Sequence, residues 1–385
     1  MRSNKLWSYG LIPIGAALLF FLAVRALDVM RSEMPPAIGE LTVERVEINP
    51  TGFAAKIRAN SREPMIIAQV MVDSAYWVFS QSPPGQLSRG DSATIKIDFP
   101  WVASGTHHLK FVTSVGETFE HTIDVALPTP RLSVRSIGDY ALLGVFVGLI
   151  PVALGMFSFP MLRALGAQGL EFVLALTVGL LVYLLVDMTF DGLEIADRAS
   201  SIYGNQLLVI IPALLTLMAL QSLSSLSNVR DDGARIAMLI AIGIGLHNFG
   251  EGLVIGASFA TNKAALGLFL VVGFTLHNIT EGVGLVAPLT AEKVRWHLFL
   301  MLAFVAGLPA VPGIWVGAYS FAPHWAAIYF GVGVGAIAQV VVEIDRFVQI
   351  ERDPQSARTR FSRISVSGYC AGAGLMYGTA LLISV

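Results

Sequence analysis

Only one of the 385 residues is cysteine, Cys370, so no intrachain disulfide can form. Cys370 lies in an apolar run where packing is its plain role, and one thiol leaves the redox compartment open. Charge is scarce as well. Asp, Glu, Lys and Arg together make up 14% of the chain and the net charge is −2, which argues against a nucleic-acid partner. There is no GxxxxGK[ST] stretch to cradle phosphates and no HExxH helix to hold a hydrolytic zinc. What the chain has instead is apolar mass: 55% of its residues are hydrophobic and the mean hydropathy is +0.68. A soluble domain cannot hide that much apolar surface, so the composition points to the bilayer as solvent.

Three textures follow one another. Residues 1–37 carry Arg2 and Lys5 ahead of "LWSYGLIPIGAALLFFLAVRALDV", with no convincing small-residue cleavage site. That pattern predicts a retained transmembrane anchor with a cytoplasmic N-terminus. Residues 38–130 show seven short alternating runs, from "LTVERVEI" to "ETFEHTIDVAL", separated by turn signals such as "NPTG" and "SPPG". They predict an extracytoplasmic all-β sandwich of immunoglobulin type, with His107, His108 and His121 as surface residues. Residues 131–138 read as a flexible linker, which would leave the sandwich loosely tethered and without a residue in the proposed metal path.

From residue 139 to 385 the chain predicts an all-α polytopic bundle of eight spans, near 140–160, 168–190, 206–226, 234–258, 264–288, 296–319, 324–346 and 364–384. Arg163, Arg230, Arg235, Lys293, Arg295, Arg346, Arg352, Arg358, Arg360 and Arg363 fall in loops on one side, against Arg198 and Lys263 on the other. The positive-inside rule places the first set in the cytoplasm, and the sandwich and C-terminus outside, in a multi-pass protein of the cell membrane.

Against that background "GLHNFGEGLVIGASFA" and, about thirty residues on, "TLHNITEGVGLVAPLT" stand out. A charge at the bilayer centre costs about 2.5–3.5 kcal/mol on insertion scales, so buried ionisable groups persist when they pair or serve an ion. His247 and Glu251 are four apart, as are His277 and Glu281, so each pair shares one helix face. An imidazole and a carboxylate one turn apart can grip a divalent metal, and Asn248 and Asn278 can add carbonyl oxygens. Mixed nitrogen and oxygen ligation suits zinc, iron(II), manganese or cadmium, and the absence of cysteine there with nearly absent thioether pairing argues against copper(I). Asp187 and Asp191 at the outer end and Glu343 at the inner end would extend the set into a ladder across the membrane. A ladder points to transport, and the protein is read as no enzyme. The rival readings are an intramembrane zinc hydrolase and a metal-sensing receptor.

"HNFGEG" and "HNITEG" resemble the paired motifs in the fourth and fifth helices of the ZIP (Zrt/Irt-like) metal transporters. The resemblance covers residues 139–385, includes "VVVE" in the seventh span, and leaves the anchor and sandwich as additions. It implies a divalent-metal importer with zinc as the usual substrate, liganded by His247, Asn248, Glu251, His277, Asn278 and Glu281. It also implies passage assisted by Asp187, and motif-bearing helices that slide against a homodimeric scaffold. Two departures stand out. Gly250 and Thr280 occupy positions where the family usually has proline, and the sixth span has no carboxylate, although Pro309 and Pro312 should bend it. With two motif glutamates and no third carboxylate, one tightly held ion per chain is expected.

Overall fold

The structure is a computed structural model that describes residues 39–226, 233–261, 264–290, 294–351 and 362–383. The expected anchor over 1–37 lies outside the described residues. Eight strands form the N-terminal part: β1 Glu40–Asn49, β2 Gly52–Asn60, β3 Ile67–Val72, β4 Ala75–Trp77, β5 Phe79–Ser82, β6 Ser92–Asp98, β7 His107–Thr113 and β8 Thr118–Ile123. They make two four-stranded antiparallel sheets, in the orders β1-β2-β6-β5 and β4-β3-β7-β8. Alternation sends Ile48, Phe53, Ile57, Ile95 and Ile97 of the first sheet and Val70, Val72, Leu109 and Phe111 of the second into one apolar core. Gly52 turns the chain between β1 and β2 at φ +149°, and a Cβ there would sit 2.0 Å from the Ile97 carbonyl oxygen.

The sequence reading counted seven strands. The run "AYWVFS" is two strands, because the chain leaves one sheet at Trp77 and enters the other at Phe79. Val78 between them is 90% exposed.

Eleven helices follow among the described residues: α1 Val134–Gly144, α2 Ile150–Met156, α3 Phe159–Ala164, α4 Ala167–Asp197, α5 Leu207–Leu226, α6 Gly233–Ala260, α7 Ala264–Val286, α8 Trp296–Gly307, α9 Ala310–Ser320, α10 Pro323–Glu351 and α11 Arg363–Ile383. Seven stretches of them are long and apolar enough to cross a membrane, the first being Val134–Ala164 and the sixth Trp296–Ser320. The eighth expected span is the 21-residue α11, which packs along α4.

Packing divides the helices into two groups. In the first, α1 and α9, α2 and α7, and α6 with α8 and α9 lie together; in the second, α4 packs on α10 and α11, and α5 on α10. Within groups the backbones touch. A Cβ on Gly256 would fall 2.2 Å from the Ile314 oxygen, and one on Gly372 would fall 2.1 Å from the Leu176 oxygen. The groups are not separate bodies: α6 packs along α10 as extensively as neighbours within a group do, α7 meets α4 and α11, and Gly243 faces the Val340 side chain. Gly331, Gly335, Gly368 and Gly372 are close-packing positions, whereas Gly374 and Gly378 face open space.

The expectation of a loosely tethered sandwich is not met. Thr129 is pinned to Ile48 through both its backbone N–H (3.1 Å) and its hydroxyl (2.8 Å). The sandwich also docks on both helical groups. Arg45 Nη1 donates to the Tyr319 carbonyl at the end of α9, 3.1 Å away. Asn60 Nδ2 donates to Ser201 Oγ at 2.7 Å, just beyond α4, and the Ser201 hydroxyl donates to Glu40. The Arg58 guanidinium lies 5.4 Å from the centre of the Tyr203 ring, which stacks on His324. Burial lowers the Arg45 pKa from its ordinary value, against the opposing pull of Glu47.

Candidate metal centre

The helical period delivers the two motifs to one point. His247 and Glu251 lie one turn apart on α6, and His277 and Glu281 on α7. Glu251 Oε1 lies 2.8 Å from His247 Nε2 and 2.5 Å from His277 Nε2, so one carboxylate oxygen bridges both imidazoles. Glu281 Oε1 is 3.8 Å from His247 Nε2. All four side chains are buried, with residue exposures between 0% and 6%. Ligand atoms of His247, Glu251 and His277 lie within 4.8 Å of one another and could hold a metal ion. Tetrahedral zinc holds its nitrogen and oxygen ligands at about 2.0–2.2 Å, and so about 3.3 Å from one another. The two close pairs need to open by less than about 1 Å to take one ion.

The buried polar atoms are unequally satisfied. Both oxygens of Glu281, and Oδ1 of both Asn248 and Asn278, have no hydrogen-bond partner. His247 Nε2 lies beside Glu251 without the alignment of a hydrogen bond. A buried unpaired polar atom costs about 1–3 kcal/mol, so the four oxygens of Glu281, Asn248 and Asn278 at one place are a costly arrangement unless a ligand satisfies them.

The asparagines are oriented by breaks in neighbouring helices. Pro151 has no N–H to give to the carbonyl four residues back, that of Val147, and a π-helical turn at Val145–Leu149 accommodates its ring. Asn278 Nδ2 donates to that same Val147 oxygen at 3.0 Å. On the other side the helix stops at Gly307 and restarts at Ala310 around Pro309, and Asn248 Nδ2 donates to the Ala306 oxygen at 2.9 Å. Each amide spends its N–H on a carbonyl beside a helix break, leaving its own oxygen unpaired. The sixth span, which lacks a carboxylate, thus takes part through its backbone.

The residues before the motif glutamates sit in regular helix. Helices α6 and α7 run unbroken through Gly250 and Thr280. The Thr280 hydroxyl donates to the His277 carbonyl at 2.6 Å. A Cβ on Gly250 would approach Met188 Cε to 2.9 Å, and one on Gly333 would approach it to 2.5 Å. Those two glycines make room for a residue that the sequence reading missed. Met188, on α4, is 4% exposed and sets its sulfur 3.1 Å from His247 Nδ1. A thioether partner for the motifs, which the sequence reading held nearly absent, is therefore present in space. No local spacing could have found it, because 59 residues separate it from His247.

The other sequence candidates fall elsewhere. Asp187 and Asp191 lie exposed on the C-terminal half of α4 with Glu194, spaced to share one face, and do not belong to the buried cluster. Glu343 accepts from the Ser224 hydroxyl and from Gln339 Nε2 (2.8 Å), and lies 3.6 Å from Arg346 Nη1. Ser224 in turn takes the Arg235 guanidinium, so Glu343 belongs to a polar network joining α5, α6 and α10. A small cavity beside the motifs, lined by Thr177, Leu181, Leu184, His277, Glu281 and Met376, opens between α4, α7 and α11. In the sandwich, His107 pairs with Asp73 (2.7 Å) and His108 with Thr122 (3.1 Å). Burial acts to raise the Asp73 pKa, but hydrogen bonds from His107 and the His108 N–H hold it below the ordinary carboxylate value.

The chain matches no family model, and no curated protein matches it.

Proposed function

We propose that the protein carries a divalent transition-metal ion, zinc foremost, across the membrane into the cytoplasm, as the ZIP-like reading of its two motifs implies. The observation that carries this is the sharing of Glu251 Oε1 by His247 and His277, which lie on consecutive helices and are buried between apolar spans. Two glutamates, Glu251 and Glu281, balance one divalent ion when the imidazoles bind neutral, which favours a single tight ion. The Asn248 and Asn278 oxygens and the Met188 sulfur complete a mixed donor set suited to zinc, iron(II), manganese or cadmium. The acidic face at Asp187 and Asp191 forms the outer approach and the small cavity beside Glu281 the inner one.

In this reading the motif-bearing helices slide against a scaffold that pairs as a homodimer, as the ZIP-like reading implies. The sandwich, whose strand orders we read as immunoglobulin-like, sits on the outer ends of both groups with the N-terminus and basic loops in the cytoplasm. Metal uptake into proteoliposomes tests this reading. Accumulation of zinc supports it. Binding without accumulation would favour a receptor, and turnover of a peptide or ester within the membrane would favour a hydrolase.

A further inference from the structure

We propose that the first helical group holds an anionic phospholipid of the leaflet bordering Arg163 and Arg295, one acyl chain entering a cavity between the ends of the first and sixth spans. The cavity measures about 310 Å³ and is lined by Ala153, Met156, Phe159, Pro160, Phe299 and Ala303, flanked by Phe157 and Leu300. That size falls in the range of small-molecule sites, roughly 300–1,000 Å³. Every lining side chain is apolar, so the part of the ligand held there must be hydrocarbon.

Two guanidinium groups stand where such a ligand would leave the hydrocarbon layer. Arg163 lies one turn beyond Phe159, its guanidinium carbon 5.8 Å from that ring, and Phe159 meets Phe299 edge to face at 5.0 Å. Arg295 is the residue preceding α8, one turn from Phe299 on the opposite wall. Both arginines are exposed, and Trp296 beside them is 73% exposed, as an aromatic side chain at the headgroup level would be. Basic side chains at that level attract anionic headgroups, and a guanidinium forks onto phosphate oxygens. An apolar slot with a two-arginine rim therefore selects a tail with an acidic head over a zwitterionic lipid.

The site bears on the metal centre through the backbone. Ala303 is one turn from Ala306, whose carbonyl orients Asn248, and Ala153 follows Pro151, the break that orients Asn278 through Val147. A seated chain would brace both interrupted helices. The lipid proposal does not depend on the transport reading.

The test uses the full-length purified protein in detergent, given equal amounts of phosphatidylglycerol and phosphatidylcholine with identical acyl chains, and read by native mass spectrometry. The expected result is a several-fold excess of bound phosphatidylglycerol. The Arg163→Ala, Arg295→Ala double variant, altered only at exposed positions, should retain both lipids equally. Ala303→Phe, which fills the slot, should lower retention of both. Equal retention by the unaltered protein, or an undiminished preference in the arginine double variant, would overturn the proposal. Should Ala303→Phe fail to fold in a melting assay, the arginine variant decides alone.

Discussion

Asn278 donates its amide to the carbonyl of Val147, 131 residues away, at the point where Pro151 cannot supply a helical N–H. A helix break in the first span thus fixes the side-chain angle of a residue in the fifth. Pro151→Ala would restore a competing N–H for that carbonyl and free the Asn278 amide to turn. Loss of a partner that orients a ligand typically costs about 10–100-fold in metal affinity, so zinc binding should weaken toward tenfold while thermal stability holds or rises. Equilibrium dialysis with zinc reads the first quantity and a melting curve the second. Unchanged affinity would mean that the amide is held by something else.

Met188 provides a chemical signature. Met188→Leu keeps volume and apolarity and removes only the sulfur beside His247 Nδ1. Affinity for the soft cadmium ion should fall more than affinity for the hard manganese ion, measured by competition on the same preparation. Equal losses for both metals would assign Met188 to packing.

The docked sandwich touches the helices through Arg45, Arg58, Asn60 and Glu40 and adds no residue to the buried cluster. A protein beginning near Val134 should still transport metal, at a reduced rate, and Arg45→Ala should show a smaller part of that reduction. Initial uptake rates in proteoliposomes measure both. Complete loss in a folded, inserted truncation would make the sandwich a working part of the path.

Asp73 carries an acid dependence. Its folded pKa is depressed, so its contribution to stability is present above the ordinary carboxylate pKa and is lost as pH falls through the lower folded value. Amide exchange at His108, whose N–H donates to Asp73 Oδ1 at 2.9 Å, should accelerate over that acidic window. Asp73→Asn should remove that contribution, leaving a flatter pH profile. An unaltered profile in Asp73→Asn would place the dependence on another group.

How much of this was legible in sequence varied with the range of the interaction. The paired motifs could be read because a four-residue spacing on a helix fixes a shared face whatever the helix packs against. Apolar length likewise marked the spans. The split of "AYWVFS" was hidden, since both halves alternate alike and only pairing with β3 or β6 assigns them to different sheets. Met188 and the amide orientations of Asn248 and Asn278 were hidden for a related reason. Each depends on contacts across at least 58 residues of chain, which no local pattern records. For Glu343 the sequence offered both a rung of the metal ladder and a pairing with nearby Arg346; the contacts to Ser224 and Gln339 add to that pairing and come from packing.

The most direct measurement is zinc uptake into proteoliposomes by the Glu251→Ala protein, because Glu251 Oε1 is the atom shared by both motif histidines. Removing it takes away one first ligand and one of two compensating charges while the helices keep their packing. Uptake should fall to that of liposomes without protein, with expression and melting temperature close to those of the unaltered chain. Zinc uptake by Glu251→Ala at the unaltered rate would contradict transport through the twin motif.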